Sequence, residues 1–306
     1  MSPRIVSLLP SATEIVCALG YESSLVGRSH ECDFPRGVER LPVCTESKVH
    51  GAMTSEEIHT RVDEILRHDI SVYRVDAELL RELAPTHIVT QVQCEVCAVS
   101  LRDVEAAIGG WTGVAPQIVP LNPQTLDDVF ADIGRTAASL GGSGAGETLV
   151  SEMREAMNGV VRASGAPEGG GAPEARATRK RVATIEWLSP LMTAGNWMPE
   201  LIEMAGGINL FGEHGKHSPW LDWNALVESD PDVVLIFPCG FGIEQIEREF
   251  RGWPELRADV FLLDGNQYFN RPGPRLVESL QILAEVLHPE RFSFGFEGKA
   301  WKRWRG

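Results

Sequence analysis

Short apolar runs of strand length alternate along this chain with stretches whose apolar residues recur at helical spacing. Residues 4–9, RIVSLL, read as a first strand, and Ser11 with Glu14 has the spacing of a capping box opening a helix that ends near Gly20. Leu25 to Arg28 forms a second short strand. Thr54 and Glu57 repeat the capping-box spacing before a helix that gathers Ile58, Val62, Ile65 and Leu66 on one face. Val72–Val75 is a strand, and Asp76 starts a helix through Leu83 that Pro85 stops. His87–Thr90 and Gln117–Pro120 are two more strands, of the continuous apolar kind that suits a sheet covered on both faces. Strands and helices thus alternate over residues 1–122 and predict an α/β lobe with a mostly parallel sheet.

The pattern changes near Thr125. Residues 123–163 are helical, interrupted only by GGSGAG at 141–146, and no strand is predicted for about 55 residues, from Thr125 to Arg181. The stretch 164–178 is rich in Gly, Ala and Pro and reads as a flexible loop. Strand signals return at Arg181–Ile185, Val233–Phe237 and Phe261–Leu263, with helices over Met198–Met204, Asp222–Glu228 and Pro274–Leu287. These define a second α/β lobe over 179–290, followed by a tail at 291–306. The predicted architecture is two Rossmann-like lobes joined by a long helix, with a ligand cleft between them fed by the carboxyl ends of the strands.

Composition refines this picture. With 306 residues, 43 acidic against 28 basic side chains and a formal charge of -15, the chain does not coat nucleic acid. An apolar content of 43% supplies a core for each of two lobes. No run approaches the ~20 apolar residues of a membrane span, and MSPRIVSLLP lacks the features of a secretion signal, so a cytoplasmic location is expected unless a leader was removed. The tail concentrates five basic groups and one acid, with Trp301 and Trp304 among them. It is expected to fold onto the acidic body, a peripheral membrane contact being the alternative.

The candidate chemistry sits at the predicted strand ends. The first lobe brings Ser11, Ala12 and Thr13 at a helix start, whose amides can bind an acceptor or whose serine merely caps. His30, Glu31 and Cys32 follow the second strand, and Cys94, Glu95 and Cys97 a later one. The second lobe brings Glu186 and Trp187, Cys239 and Phe241, and a loop carrying Tyr268 and Arg271. Trp187, Trp197 and Trp220 suit contact with a broad, flat ligand, whereas Trp223 and Trp253 suit packing. Arg271 is either a cation over the cleft mouth or part of a structural ion pair.

The pair Cys94–Cys97 has the spacing of half a metal site or of a redox pair. With Cys32 and Cys239 it admits a soft metal, zinc or an iron–sulfur cluster. The run matches neither a zinc finger nor a ferredoxin pattern, and ligand-contacting or inert thiols are the plainer reading. Cys17 lies in an apolar run and reads as core. No phosphate loop, nucleophile elbow or zinc-protease helix occurs, so no catalytic residue is assigned.

The order of elements resembles the periplasmic-binding-protein-like proteins that carry vitamin B12, haem or iron–siderophores to ABC importers, in the class with one bridging helix. The B12-binding members are the most alike. The resemblance rests on RIVSLLPSATE at 4–14, Leu19-Gly20, Leu25-Val26-Gly27, LAPTHIV at 83–89, Glu200-Leu201-Ile202, Ala205-Gly206-Gly207-Ile208-Asn209 and SDPDVV at 229–234. It spans residues 4–289. It implies a non-catalytic carrier whose corrinoid ligand, such as cobalamin, meets Ser11 to Thr13, Trp187, Trp220 and Phe241, and whose partner is an importer permease. The segments His30–Asp33 and Cys94–Cys97 depart from a simple carrier and look like those of leaderless cobalamin-binding proteins, which implies storage, sensing or handover.

Overall fold

A computed structural model describes residues 2–49, 53–68, 71–92, 99, 101–109, 111, 114–165 and 179–305. The chain divides into two compact units, Met1–Met53 with Glu57–Pro123 and Asp127–Ser151, and Thr54–Glu56 with Gln124–Leu126 and Glu152–Gly306.

The first unit is built on β1 (Ile5–Ser7), β2 (Leu25–Arg28), β5 (His87–Gln91) and β6 (Gln117–Leu121), hydrogen-bonded in the order β2-β1-β5-β6. All three pairings are parallel. A separate antiparallel pair, β3 (Thr45–Ser47) with β4 (Tyr73–Val75), was not expected as a ladder. Helices α1 (Pro10–Ala18), α2 (Ser55–Leu66), α3 (Ala77–Leu83), α4 (Leu101–Ile108) and α5 (Leu126–Ser139) accompany them. Val6, Leu8, Leu80, Ile88 and Val104 are completely buried and form the centre of one apolar cluster. Asp76 caps α3 by accepting from Leu79 N at 3.0 Å, and Ala84 ends it in the left-handed region just before Pro85.

Two local expectations change. The capping box at Ser11 does not form, because α1 begins one residue earlier at Pro10 and Ser11 lies inside its first turn. A proline with its fixed φ and missing N–H takes the first helical position instead. The GGSGAG run also interrupts less than expected. Only Gly141 and Gly142 form the turn, and α6 (Ser143–Ser164) starts at once and continues for 22 residues, about 33 Å at 1.5 Å per residue. Gly146 fits there because a Cβ would fall 2.6 Å from that of Ala137. The chain passes from the first unit to the second within α6, after Ser151.

The second unit carries β7 (Arg181–Ile185), β8 (Ile208–Asn209), β9 (Val233–Ile236), β10 (Asp259–Leu263) and β11 (Trp301–Arg303), in the order β11-β10-β9-β7-β8. Every pairing is parallel except that of β11, which runs antiparallel to β10. Its helices are α7 (Met198–Met204), α8 (Trp223–Glu228), α9 (Ile243–Glu249) and α10 (Leu276–Leu287). Strand β9 reads VVLI with every residue buried, as a central strand covered on both faces requires.

The basic tail folds back onto its own unit as expected, and residues 301–303 join the sheet there as β11. Trp301 is buried and donates its indole N–H to Glu285 at 2.8 Å. Glu285, 3% exposed, also accepts from Gly295 N at 2.6 Å and Phe296 N at 3.2 Å. Lys302 pairs with Glu247 and Arg303 with Asp259. The tail's apolar rings complete the edge of the sheet, and two of its bases meet acids on the same unit.

Candidate functional site

In the first unit the strand-end residues turn inward. Ser11, Ala12 and Thr13 are buried at 2%, 0% and 0% exposure. Thr13 Oγ1 donates to Ser7 Oγ at 2.8 Å and lies 3.0 Å from Cys32 Sγ, and Ser7 Oγ donates to Leu9 O at 3.2 Å. The loop after β2 is tied back to the same place by Ser29 N on Ser7 O at 2.8 Å. Ser7, Thr13 and Cys32 are therefore parts of one buried polar knot closing the ends of β1 and β2. Ser11 Oγ makes no hydrogen bond there.

His30 and Glu31 leave that loop in a different environment. His30 N donates to Thr45 Oγ1 at 3.1 Å, and its Nδ1 lies 2.8 Å from the same oxygen. Thr45 Oγ1 thus meets both the backbone and the ring of His30. The ring also packs against Tyr73 at 5.8 Å. Glu31 N donates to Ser29 Oγ at 3.2 Å.

Cys94, Glu95 and Cys97 lie outside the described residues. Among the described residues, no group of three or more His, Cys, Asp or Glu side chains is placed to hold a metal ion. Cys32 is buried beside hydroxyls, and Cys239 is half-buried on the second unit. Burial pushes the thiols of Cys17 and Cys44 up to about 12.

The second unit presents aromatic surface at its strand ends. Trp187, just beyond β7, lies against Phe241 with ring centroids 5.4 Å apart. Met192 joins the backbone of Trp187 on one side and of Trp220 on the other, and the Trp220 side is 60% exposed. Cys239 N donates to Glu186 O at 3.2 Å, and Asn266 N to Phe241 O at 3.1 Å, which ties together the loops after β7, β9 and β10. Gly265 permits that closure, because a Cβ there would fall 2.3 Å from Pro238 O. Glu186 is half-buried and accepts from Ser218 Oγ at 2.8 Å. Ser218 itself receives Gly195 N–H at 3.0 Å. Neither Ser218 nor Gly195 was identified from the sequence, since the contact joins positions 32 residues apart through loops without periodic pattern.

Two of the candidate contact residues are buried. Trp197 is 5% exposed and donates its indole N–H to Phe269 O at 3.2 Å, so it is a core tryptophan. Arg271 is 4% exposed and reaches Asn266 Oδ1 at 3.2 Å. Tyr268 receives the Arg275 guanidinium over its ring at 4.3 Å, and burial raises its hydroxyl above the ordinary tyrosine range. Asp264 caps the following π turn through Gln267 N at 2.8 Å, and burial holds its carboxyl above the usual range. A polar cavity of about 530 Å³ opens at the other end of this sheet, lined by Lys180, Asp232, Arg257 and Asp259 among others. Its neighbours include Arg179, whose guanidinium is spent on Gly206 O and Gly207 O, and it lies away from the aromatic residues.

Two mostly parallel sheets with interleaved helices define the class. This is the α/β fold of the periplasmic binding proteins, and the chain is similar to the substrate-binding proteins of ABC importers for B12, haem and iron. Among sequences, the uncharacterized ABC transporter substrate-binding lipoprotein YvrC of Bacillus subtilis is 22% identical over 298 residues, 94% of this chain and 81% of that protein. A vitamin B12-binding protein of Vibrio cholerae is 22% identical over 295 residues, 93% of this chain and 88% of the relative. Among solved structures, the periplasmic vitamin B12 binding protein BtuF of Vibrio cholerae superposes with a TM-score of 0.65 at 18% identity, covering 93% of this chain and 96% of its own. A periplasmic heme binding protein from Pseudomonas aeruginosa reaches 0.71 at 18% identity, covering 100% and 99%. No family model matches the chain.

Proposed function

We propose that this protein is a non-catalytic binding protein for a bulky, flat cofactor-like ligand, a corrinoid such as cobalamin, held for import, storage or handover. The observation that carries the reading is the aromatic strand-end surface of the second unit, with Trp187 set against Phe241 and Trp220 left 60% exposed. A large indole exposed beside a rigid aromatic pair offers contact area at little entropic cost, which suits a macrocycle face. The names of the B12-binding relatives support the same choice. Where an importer permease is the partner, the protein would deliver the ligand as those relatives' class does.

Haem is the second reading, favoured by the heme-binding structural neighbours. Titration of the full chain with cyanocobalamin and separately with hemin, followed by visible spectra, tests both. Saturable binding with a shifted spectrum is expected for the corrinoid, and Trp220→Ala should weaken it about tenfold, the factor that ~1.4 kcal/mol represents. If neither macrocycle binds at high micromolar concentration, the proposal fails.

A further inference from the structure

We infer that the polar cavity at the amino-terminal ends of β7, β9 and β10 is a second ligand site, which takes a phosphate monoester with a polar body and holds its phosphate on Lys180 and Arg257. The inference is independent of the macrocycle reading, since this cavity lies at the opposite end of the sheet from Trp187 and Phe241. Its wall comes from three segments that meet where strands begin: Arg179 and Lys180 before β7, Asp230 to Asp232 before β9, and Arg257 and Asp259 at the start of β10. Asp259 N donates to Asp232 O at 3.0 Å and Asp232 N to Arg181 O at 2.9 Å, which fixes the three segments against one another. The volume, about 530 Å³, is within the range of small-molecule sites.

Most charges here are already engaged within the fold. Arg179 donates to Gly206 O and Gly207 O just beyond α7, and Arg181 reaches Ser229 O at 2.6 Å where α8 ends. Bases near helix carboxyl termini are expected on structural grounds alone. Asp232 accepts from Arg181 N at 2.7 Å, and Asp259 pairs with Arg303. Lys180, Arg257 and Asp230 are different. Among the described residues, no side-chain hydrogen bond or ion pair engages any of these three. Two cations against one carboxylate leave the cavity short of negative charge, and concave walls focus the field of those cations more than a convex surface would. A phosphate monoester supplies that charge on three acceptor oxygens, enough to meet an ammonium and a guanidinium at once. Only Pro231 and Val233 among the lining residues are apolar, so the rest of the ligand is polar, as a sugar is, rather than an acyl chain.

Isothermal titration calorimetry of the full chain with ribose 5-phosphate, glucose 6-phosphate and the two unphosphorylated sugars tests the site. At least one sugar phosphate is expected to bind saturably, and neither free sugar to bind. Lys180→Gln and Arg257→Gln should each weaken that binding about tenfold, whereas Asp230→Asn, which removes like charge, should tighten it severalfold. Thermal unfolding of each variant shows that the fold persists, and cyanocobalamin titrated in parallel should respond identically in all of them. No saturable binding of either sugar phosphate up to about 10 mM overturns the inference. Binding untouched by Lys180→Gln and Arg257→Gln, or weakened by Asp230→Asn, overturns it as well. Flotation with phosphatidylcholine vesicles carrying phosphatidic acid separates the sources: capture by those vesicles in place of sugar phosphate binding would make the ligand a lipid headgroup and overturn the polar-bodied one. Failure of cyanocobalamin and hemin to bind would end the macrocycle reading and leave this site standing.

Discussion

The strand ends of the two units use opposite chemistry. The first closes its ends with small polar groups bonded to one another, Thr13 to Ser7 and Cys32, and His30 to Thr45. The second closes its ends with rings and leaves one, Trp220, largely in solvent. Buried hydroxyls must find partners, so the first unit's polar groups are consumed in shaping its loops. Trp220 instead presents ring surface outside the packed interior. Functional surface is thus more readily assigned on the second unit, although the sequence places polar candidates on both.

The comparison breaks most severely if the second unit's support is removed. Phe237, at the end of β9, is fully buried and stacks on Phe269 at 4.9 Å. Phe237→Ala should cost about 4 kcal/mol, measured by denaturant unfolding, because the cavity lies between strand and π turn and cannot collapse.

A pH experiment probes the first unit's polar interior. Asp132 is 1% exposed, accepts from Asn122 N at 3.0 Å just beyond β6, and pairs with Arg135. Burial outweighs those partners and raises its pKa from 3.8 to about 6. The folded chain then holds this proton more tightly than the unfolded chain. Its contribution to stability is full below about pH 4 and is lost as pH rises through about 6, by at most about 3 kcal/mol. Stability of wild type relative to Asp132→Asn should fall across that window; a flat difference would show that Arg135 compensates the burial.

Thr13→Val sharpens the contrast on a smaller scale. It removes the hydroxyl that links Ser7 and Cys32 and should cost about 1–2 kcal/mol. Trp220→Ala is the opposite case, expected to change stability by less than about 0.5 kcal/mol while weakening the ligand. If the two substitutions destabilised the protein equally, the division between a self-satisfied and an available strand-end surface would be lost.

Much of the scaffold was legible in the chain because strands such as Arg181–Ile185 and Leu25–Arg28 are bounded by local turn residues and carry continuous apolar runs. Helix α8 was equally legible, since Asp222 caps it through Asn224 N and Ala225 N from two and three residues away. The candidate site was less so. Glu186, Trp187, Trp220 and Phe241 were identifiable by residue type and by their place after strands. Trp197 and Arg271 have the same credentials and are buried, because type and order say nothing of which way a side chain turns once neighbouring elements pack.

Local periodicity and punctuation therefore determined the α/β class, the positions of the strand ends, and the aromatic character of the second unit. Those signals act over a few residues and survive in any context. Only the tertiary structure decided that Ser218 aims Glu186, that Thr13 and Cys32 share one buried knot, and that the basic tail is an edge strand anchored by Glu285. Each of these joins residues distant in the chain, and such pairings follow from the packing of whole elements rather than from the spacing of their side chains.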